Sequence, residues 1–294
     1  MSNNQPILVA THNGTFHFDD LLAAAMVRML HPRQTVEIVR TRDQEVISSA
    51  DWVIDVGGVY DHVLKRYDHH QKDSLVRPNG VPYAASGLVW KHWGAELCGD
   101  QKVADLIDVE FIQMIDGPDN GMQTFESLIE GGRVPSINSL SVFWAPQWDE
   151  PEANNDERFF ELLNFAQALL VRLIVVYNSR QKSDQAFSQA YQESPDKELI
   201  LVEKGVSPTD VTDYPKVKFL IYQDLENDTW KAKCISEGSF KCRTSFPINW
   251  RGLRGQELQD ASKLSTAEFV HPAGFLAVAK TKEGILSMCQ QALS

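Results

Sequence analysis

Thr11-His12-Asn13-Gly14-Thr15-Phe16-His17-Phe18-Asp19-Asp20 sets two imidazoles and two carboxylates in a short turn between two apolar segments. Residues 6–10 before it are short, apolar and partly branched, as in a strand; in residues 21–30 after it, Leu22, Met26 and Met29 recur at helical spacing. Gathering these groups without a cation is unfavourable. The motif leaves a strand and enters a helix, the edge at which open α/β sheets bind ligands.

Two further clusters repeat this placement. Residues 51–58 read as an apolar strand ending in Asp55 before Gly57-Gly58, and Arg66-Tyr67 leads into Asp68-His69-His70. A helical pattern over 105–115 stops at Asp116-Gly117-Pro118, where Gly-Pro forces a turn. His12, His17, Asp19, Asp55, Asp68, His69, His70 and Asp116 thus form an inventory of oxygen and nitrogen ligands without thiolates. That inventory suits Mn²⁺ or Mg²⁺, with iron or cobalt also accommodated, better than a structural zinc. Two ions about 3.5–4 Å apart would share a hydroxide and clamp a phosphoryl group, with no serine or cysteine nucleophile. Taken singly, Asp55 could be a cap, Asp116 an Asx turn and Asp20 a favourable first-turn charge. Recurrence at successive strand ends favours a metal centre, with Asp20 and Asp68 equally suited to direct ligation or to orienting an imidazole.

The 294 residues accommodate two domains. Residues 1–150 read as a parallel-sheet α/β domain carrying the clusters, 151–193 as a helical connector with an irregular stretch over 131–155 before it, and 194–294 as a smaller α/β domain. That last part shows strands at 198–202, 217–222, 230–235 and across 269–278, and a closing helix over 282–292. A net charge of −12 argues against duplex nucleic-acid binding by electrostatics alone and leaves room for a local basic groove. Cys98, Cys234, Cys242 and Cys289 show no metal-finger spacing and read as reduced thiols. The polar residues 1–6 leave no room for a signal core, and the apolar run over 168–177 is short and broken by Arg172. A cytoplasmic protein with no membrane partner is expected.

The motifs His12-x4-His17-x-Asp19, Asp55 and Asp68-His69-His70 resemble the DHH phosphoesterase superfamily. Together with Tyr67-Asp68-His69-His70-Gln71, Trp250-Arg251-Gly252-Leu253-Arg254 and Phe269-Val270-His271, they are similar to the melanocyte proliferating gene family. Its members are described as metal-dependent 3′-to-5′ RNA exonucleases. The resemblance implies a DHH-type N-terminal domain, two divalent cations, and RNA or oligonucleotides as substrate. It assigns His12, His17 and Asp55 to one ion, and Asp19, Asp55, His69 and Asp116 to the other. Asp55 and His69 then belong to the catalytic group with His70, which would contact substrate or protonate the leaving oxygen. Arg251, Arg254, His271 and Lys280 would hold a phosphate, Arg as a bidentate fork and Lys as a point charge. Two departures stand out: Asp20 where the family commonly has Glu, and Ala277-Val278-Ala279 before Lys280 where relatives tend to have Gly-Gly. Alternatives are a phosphatase or pyrophosphatase acting on a small phosphorylated metabolite, and a non-catalytic binding module. Homo-oligomer formation is compatible with either.

Overall fold

The computed structural model describes residues 5–132, 134–150, 154–236 and 241–294. The chain divides into two compact units, Met1–Asn178 and Ser179–Ser294. Arg133 and residues 151–153, within the expected irregular stretch and connector, lie outside the described residues.

In the first unit the elements follow in the order β1 (Ile7–Thr11), α1 (Phe18–Leu30), β2 (Val36–Arg40), α2 (Gln44–Ser49), β3 (Trp52–Ile54), β4 (Tyr60–Asp61) and β5 (Arg66–Tyr67). Helices α3 (Ala85–Cys98), α4 (Gln101–Ile107), α5 (Gln113–Asp119) and α6 (Ser139–Trp144) follow, with a π turn over Asp108–Ile112 joining α4 to α5. The sheet order is β2-β1-β3-β5-β4. All pairs are parallel except the edge pair β4–β5.

Alternation along the strands explains why these segments are apolar throughout. Val9, Trp52 and Ile54 enter the main core with α1 and α3, while Ala10 and Val53 face a smaller core with Ile47 of α2. A sheet covered on both faces needs apolar residues at consecutive positions. Because β1, β3 and β5 are parallel neighbours, their C-terminal ends lie side by side. His12, Asp55 and Asp68-His69-His70 therefore leave one edge together.

The 39-residue α7 (Asn155–Glu193) contains the boundary between the units. Its Phe159, Leu162, Leu163, Ala166, Leu170 and Tyr177 complete the first core, whereas Phe187 belongs to a second-unit cluster. The expected division into 1–150, 151–193 and 194–294 thus differs from the observed one, because this helix buries its two halves in different cores. By length and composition α7 is also the one described helix that could cross a membrane. The uncharged run alone understates it, since a single Arg172 interrupts a longer apolar stretch.

The second unit continues with β6 (Leu199–Leu201), β7 (Phe219–Asp224), β8 (Thr229–Cys234), α8 (Gly255–Ser262), β9 (Ala267–Val270), β10 (Leu276–Ala279) and α9 (Lys282–Leu293). Its sheet order is β6-β7-β8-β10-β9, with β6 and β7 parallel and the rest antiparallel. Phe219 and Ile221 face the core with Leu258 and Ile285, while Leu220 faces the cluster of Phe187 and Ile200. The expectation of two α/β units with a parallel first sheet is met at this level.

Two sequence expectations are corrected. Cys234 and Cys242 are joined by a disulfide, with only Cys98 and Cys289 free and buried. The antiparallel bridge between Ser236 and Cys242 brings the end of β8 back beside its own continuation, which the spacing of the cysteines does not reveal. Secondly, α5 does not stop at Asp116. It runs through Gly117 and Pro118 to Asp119 and ends at Asn120, whose N–H donates to the Asp116 carbonyl before Gly121 turns with φ +77°.

Candidate metal centre

The strand ends supply the first groups. His12 follows β1 and is buried; its Nδ1 donates to the Asn13 carbonyl at 3.2 Å, which leaves Nε2 as the free ring nitrogen. That Nε2 lies 3.3 Å from Asp55 Oδ2 and 3.2 Å from Asp20 Oδ2. Asp55 follows β3 with φ +53°, a left-handed backbone that a non-glycine residue adopts at some strain. Its N–H donates to the Tyr67 carbonyl, pinning the turn. His69 after β5 mirrors His12: its Nδ1 is 3.2 Å from Asn120 Oδ1, and its Nε2 is 3.2 Å from both Asp55 Oδ1 and Asp119 Oδ2.

Helix α1 brings the next pair. His17 precedes its first turn, 54% exposed at the side chain, with Nδ1 3.6 Å from Asp119 Oδ1. Asp19 is fully buried; its Oδ2 accepts from the Ala85 N–H, while Oδ1 has no hydrogen-bond partner among the described residues. Candidate ligand atoms lie within 4.8 Å of one another in three sets: His12, His17 and Asp55; Asp55, His69 and His70; and His17, Asp19 and Asp119. Asp55 is shared by the first two and His17 by the first and third.

Asp116 is absent from these sets. Its carboxylate accepts from Ser86 Oγ and the Gly87 N–H at the start of α3, and its second oxygen lies 2.8 Å from Arg77 Nη2. Asp119, one helical turn later, occupies the place expected of Asp116. This correction has a local cause: the helix continues past Gly-Pro, so the carboxylate that reaches the site is the one before Asn120-Gly121. Asp-Asn-Gly was the available signal.

Asp20 and Asp68 orient their neighbours. Asp20 Oδ1 accepts from the His17 N–H, and its other oxygen faces His12. Asp68 Oδ2 accepts from Gly58 N–H, and Oδ1 accepts from His70 through both its backbone N–H and Nδ1. His70 is therefore an exposed imidazole held at the rim, its side chain 62% accessible.

The electrostatics match a site built around positive charge. Burial raises the Asp19 carboxyl well above its usual range, and Asp55, Asp119 and Asp20 push it the same way. Burial likewise raises Asp20, with His12 opposing. Burial would lower both histidines, but Asp20 and Asp55 outweigh it at His12, and Asp119 and Asp55 outweigh it at His69, raising each to about 10. Those two imidazoles in turn overcome burial at Asp55 and hold it low. Asp19 Oδ1, Asp55 Oδ1 and His69 Nε2 are buried without a hydrogen-bond partner among the described residues. Buried acceptors and an imidazole nitrogen without hydrogen bonds, spread over three overlapping sets of ligand atoms, fit divalent cations.

In the second unit, Arg251 packs against the turn that His271 opens. The Arg251 Nε–H donates to the Phe246 carbonyl, and a β-carbon at Gly274 would sit 2.6 Å from that Nε, so glycine is what lets the guanidinium lie there. His271 Nδ1 accepts from Ala273 N–H, and its ring lies 4.3 Å from that of Phe275. Arg254 lies over Phe269. Lys280 is not brought to this group: it follows β10 beside Thr266, at the opposite end of the β9–β10 ladder from His271, and pairs with Glu268. Phe246 and Trp250 are core residues, whereas Trp148 is almost fully exposed.

Residues 8–293 match the family model MYG1_exonuc, whose description is "Uncharacterised protein family (UPF0160)". The chain belongs to this family. A human relative called MYG1 exonuclease is 31% identical over 325 residues, covering 98% of this chain and 86% of that protein. The Bos taurus MYG1 exonuclease is 33% identical over 328 residues, with 98% and 85% covered. The resemblance to the melanocyte proliferating gene family read from the motifs is thereby borne out. A solved chain titled a pGpG-specific phosphodiesterase from Vibrio aligns over 98% of this chain and 97% of its own, at 14% identity and a TM-score of 0.36, and carries no argument here.

Proposed function

We propose that this protein is a divalent-metal-dependent phosphodiester hydrolase, acting as a 3′-to-5′ exonuclease on short single-stranded RNA or oligonucleotides. The observation that carries the reading is that His12, His17, Asp19, Asp55, His69, His70 and Asp119 fall into three overlapping sets of candidate ligand atoms, with Asp19 Oδ1 and Asp55 Oδ1 buried and without a hydrogen bond among the described residues. The exonuclease names of its relatives support the reaction class.

In this reading His12, His17 and Asp55 hold one cation, and Asp19, Asp55, His69 and Asp119 a second, with Mn²⁺ the first choice and Mg²⁺ the alternative. Bound there, such ions would lower the pKa of water and offset charge on phosphoryl oxygens. The protein's own contribution is orientation. Asn13 and Asn120 fix the ring faces of His12 and His69, and Asp68 holds His70 at the rim, where its exposed imidazole can pass a proton to a departing oxygen. Arg251, Arg254 and His271 are the groups we assign to substrate phosphate in the second unit.

The test is hydrolysis by ion-stripped protein, refilled with Mn²⁺ or Mg²⁺, of a single-stranded RNA ladder beside pyrophosphate and mononucleotides, with Asp55→Ala as control. Stepwise shortening that requires both ion and Asp55 is expected. Turnover of the small substrates alone would replace this reading with a phosphatase, and ion binding without turnover with a binding module.

A further inference from the structure

Arg40 ends β2, directly beside Thr11 in the strand register, one residue before His12. Its guanidinium is buried, with the side chain 1% exposed, and lies against the rings of Phe16 and Phe159, 5.6 and 4.7 Å from their centroids. One Nη donates to the Gly14 carbonyl and the other to Asp156 in the first turn of α7. A buried guanidinium is far too costly to keep for surface solubility. Its two hydrogen bonds go to the loop between His12 and His17 and to the helix that closes the core.

His17 needs such support. His12 and His69 are buried and held by a carbonyl and an amide oxygen, whereas the His17 side chain is half exposed and faces Asp119 at 3.6 Å. Its position comes from the backbone. Asp20 holds its N–H on one side. On the other, the chain passes through Gly14 at φ +85°, with open space around the missing β-carbon, so the glycine itself restrains little. Phe16, buried against Phe159, anchors the end of the loop next to His17, and the Arg40 contact at the Gly14 carbonyl supplies the restraint at its start.

We infer that Arg40 is a positioning residue for the metal centre, fixing the 13–16 loop and through it His17. This rests on the metal-binding reading above, and the experiment separates the two. Mn²⁺ binding to full-length protein, followed by the free-ion electron paramagnetic resonance signal, is compared with thermal unfolding of the ion-free protein for wild type, Arg40→Met, Arg40→Lys, Asp156→Asn and Leu170→Ala.

Arg40→Met is expected to weaken one of the two ions about 10–100-fold, the range for loss of an outer-shell hydrogen bond, while the other binds within about threefold of wild type. Arg40→Lys, which keeps the charge without the fork, should fall between and carries the test if Arg40→Met does not fold. Asp156→Asn, altering the solvent-exposed partner, and Leu170→Ala, opening the same core farther along α7, should lower the unfolding temperature with Mn²⁺ affinity within about threefold. Wild-type affinity in the Arg40 variants, or an equal loss in Leu170→Ala, overturns the inference and leaves the metal reading standing. No Mn²⁺ binding by wild type overturns both.

Discussion

Asp119 Oδ2 stands 3.2 Å from His69 Nε2, while Asp116, on the same helix, points away into an ion pair with Arg77. The two carboxylates have different work. Asp119→Asn should abolish ion binding that involves His69; in the ion-free protein it gives up the pair that keeps His69 protonated but also relieves repulsion at Asp19, so it should cost less stability than Asp116→Asn. Asp116→Asn should retain ion binding and lose about 1–3 kcal/mol of stability, because Ser86, Gly87 and Arg77 lose a charged acceptor while Arg77 keeps its two-point pair with Asp108. Gly87→Ala should act like Asp116→Asn, because its β-carbon would lie 1.7 Å from Asp116 Oδ2. Calorimetric unfolding beside metal titration decides; loss of binding in Asp116→Asn with unchanged stability would reverse the assignment.

Ion binding should expel protons. With pKa values raised to about 10, His12 and His69 are protonated at neutral pH in the ion-free protein. A ligand nitrogen must be bare, so each coordinated imidazole gives up its proton. Mn²⁺ affinity should therefore rise with pH from neutrality toward 9, by about tenfold per unit for each proton released. Titrations in buffers of different ionisation enthalpy measure the count; an affinity flat over that range would show the histidines are not ligands.

A second titration lies outside the site. His62 and His92 stack with ring centres 3.6 Å apart, and Tyr60 Oη lies 2.7 Å from His92 Nε2. Burial first, then the neighbouring His62 and Lys91, lower His92 to about 4 from 6.5. The unfolded chain thus takes up this proton at higher pH than the folded one, so stability falls as pH drops from 6.5 toward 4. His92→Gln should flatten that part of the urea-midpoint profile. If the variant's acid slope equals wild type, His92 is not the group responsible.

The Cys234–Cys242 bond, spanning eight residues, should stabilise the second unit by about 2–3 kcal/mol on a chain-entropy account. Alkylation with iodoacetamide in denaturant should label only Cys98 and Cys289 until a reductant is added. Four labelled cysteines without reductant would mean the bond is not formed.

Legibility followed local context. His12, Asp55 and His69 could be read because each ends an apolar strand, and parallel pairing then brings strand ends together. Asp119 was masked, since Gly117-Pro118 reads as a stop and outweighs the Asn120-Gly121 signal that the helix ends later. Arg40 and Arg77 escaped notice because a single arginine in a sequence looks like solvated charge; burial against Phe159 and beside Asp116 exists only after folding. The unit boundary was hidden for a related reason: α7 has one uninterrupted helical pattern and two different partners.

The π turn over Asp108–Ile112 accommodates one more residue than an α-helical turn of the same rise. Each residue advances the chain about 100° around the helix axis. The extra residue is taken up inside the turn, so deleting one residue of 108–112 should leave an α-helical turn and keep Asp119 beside His69. The same deletion early in α5, where no slack exists, would swing Asp119 roughly a quarter-turn from His69 without altering a single ligand. Alignments and designs that move a gap from this turn into α5 will keep every ligand in the text and lose one in space.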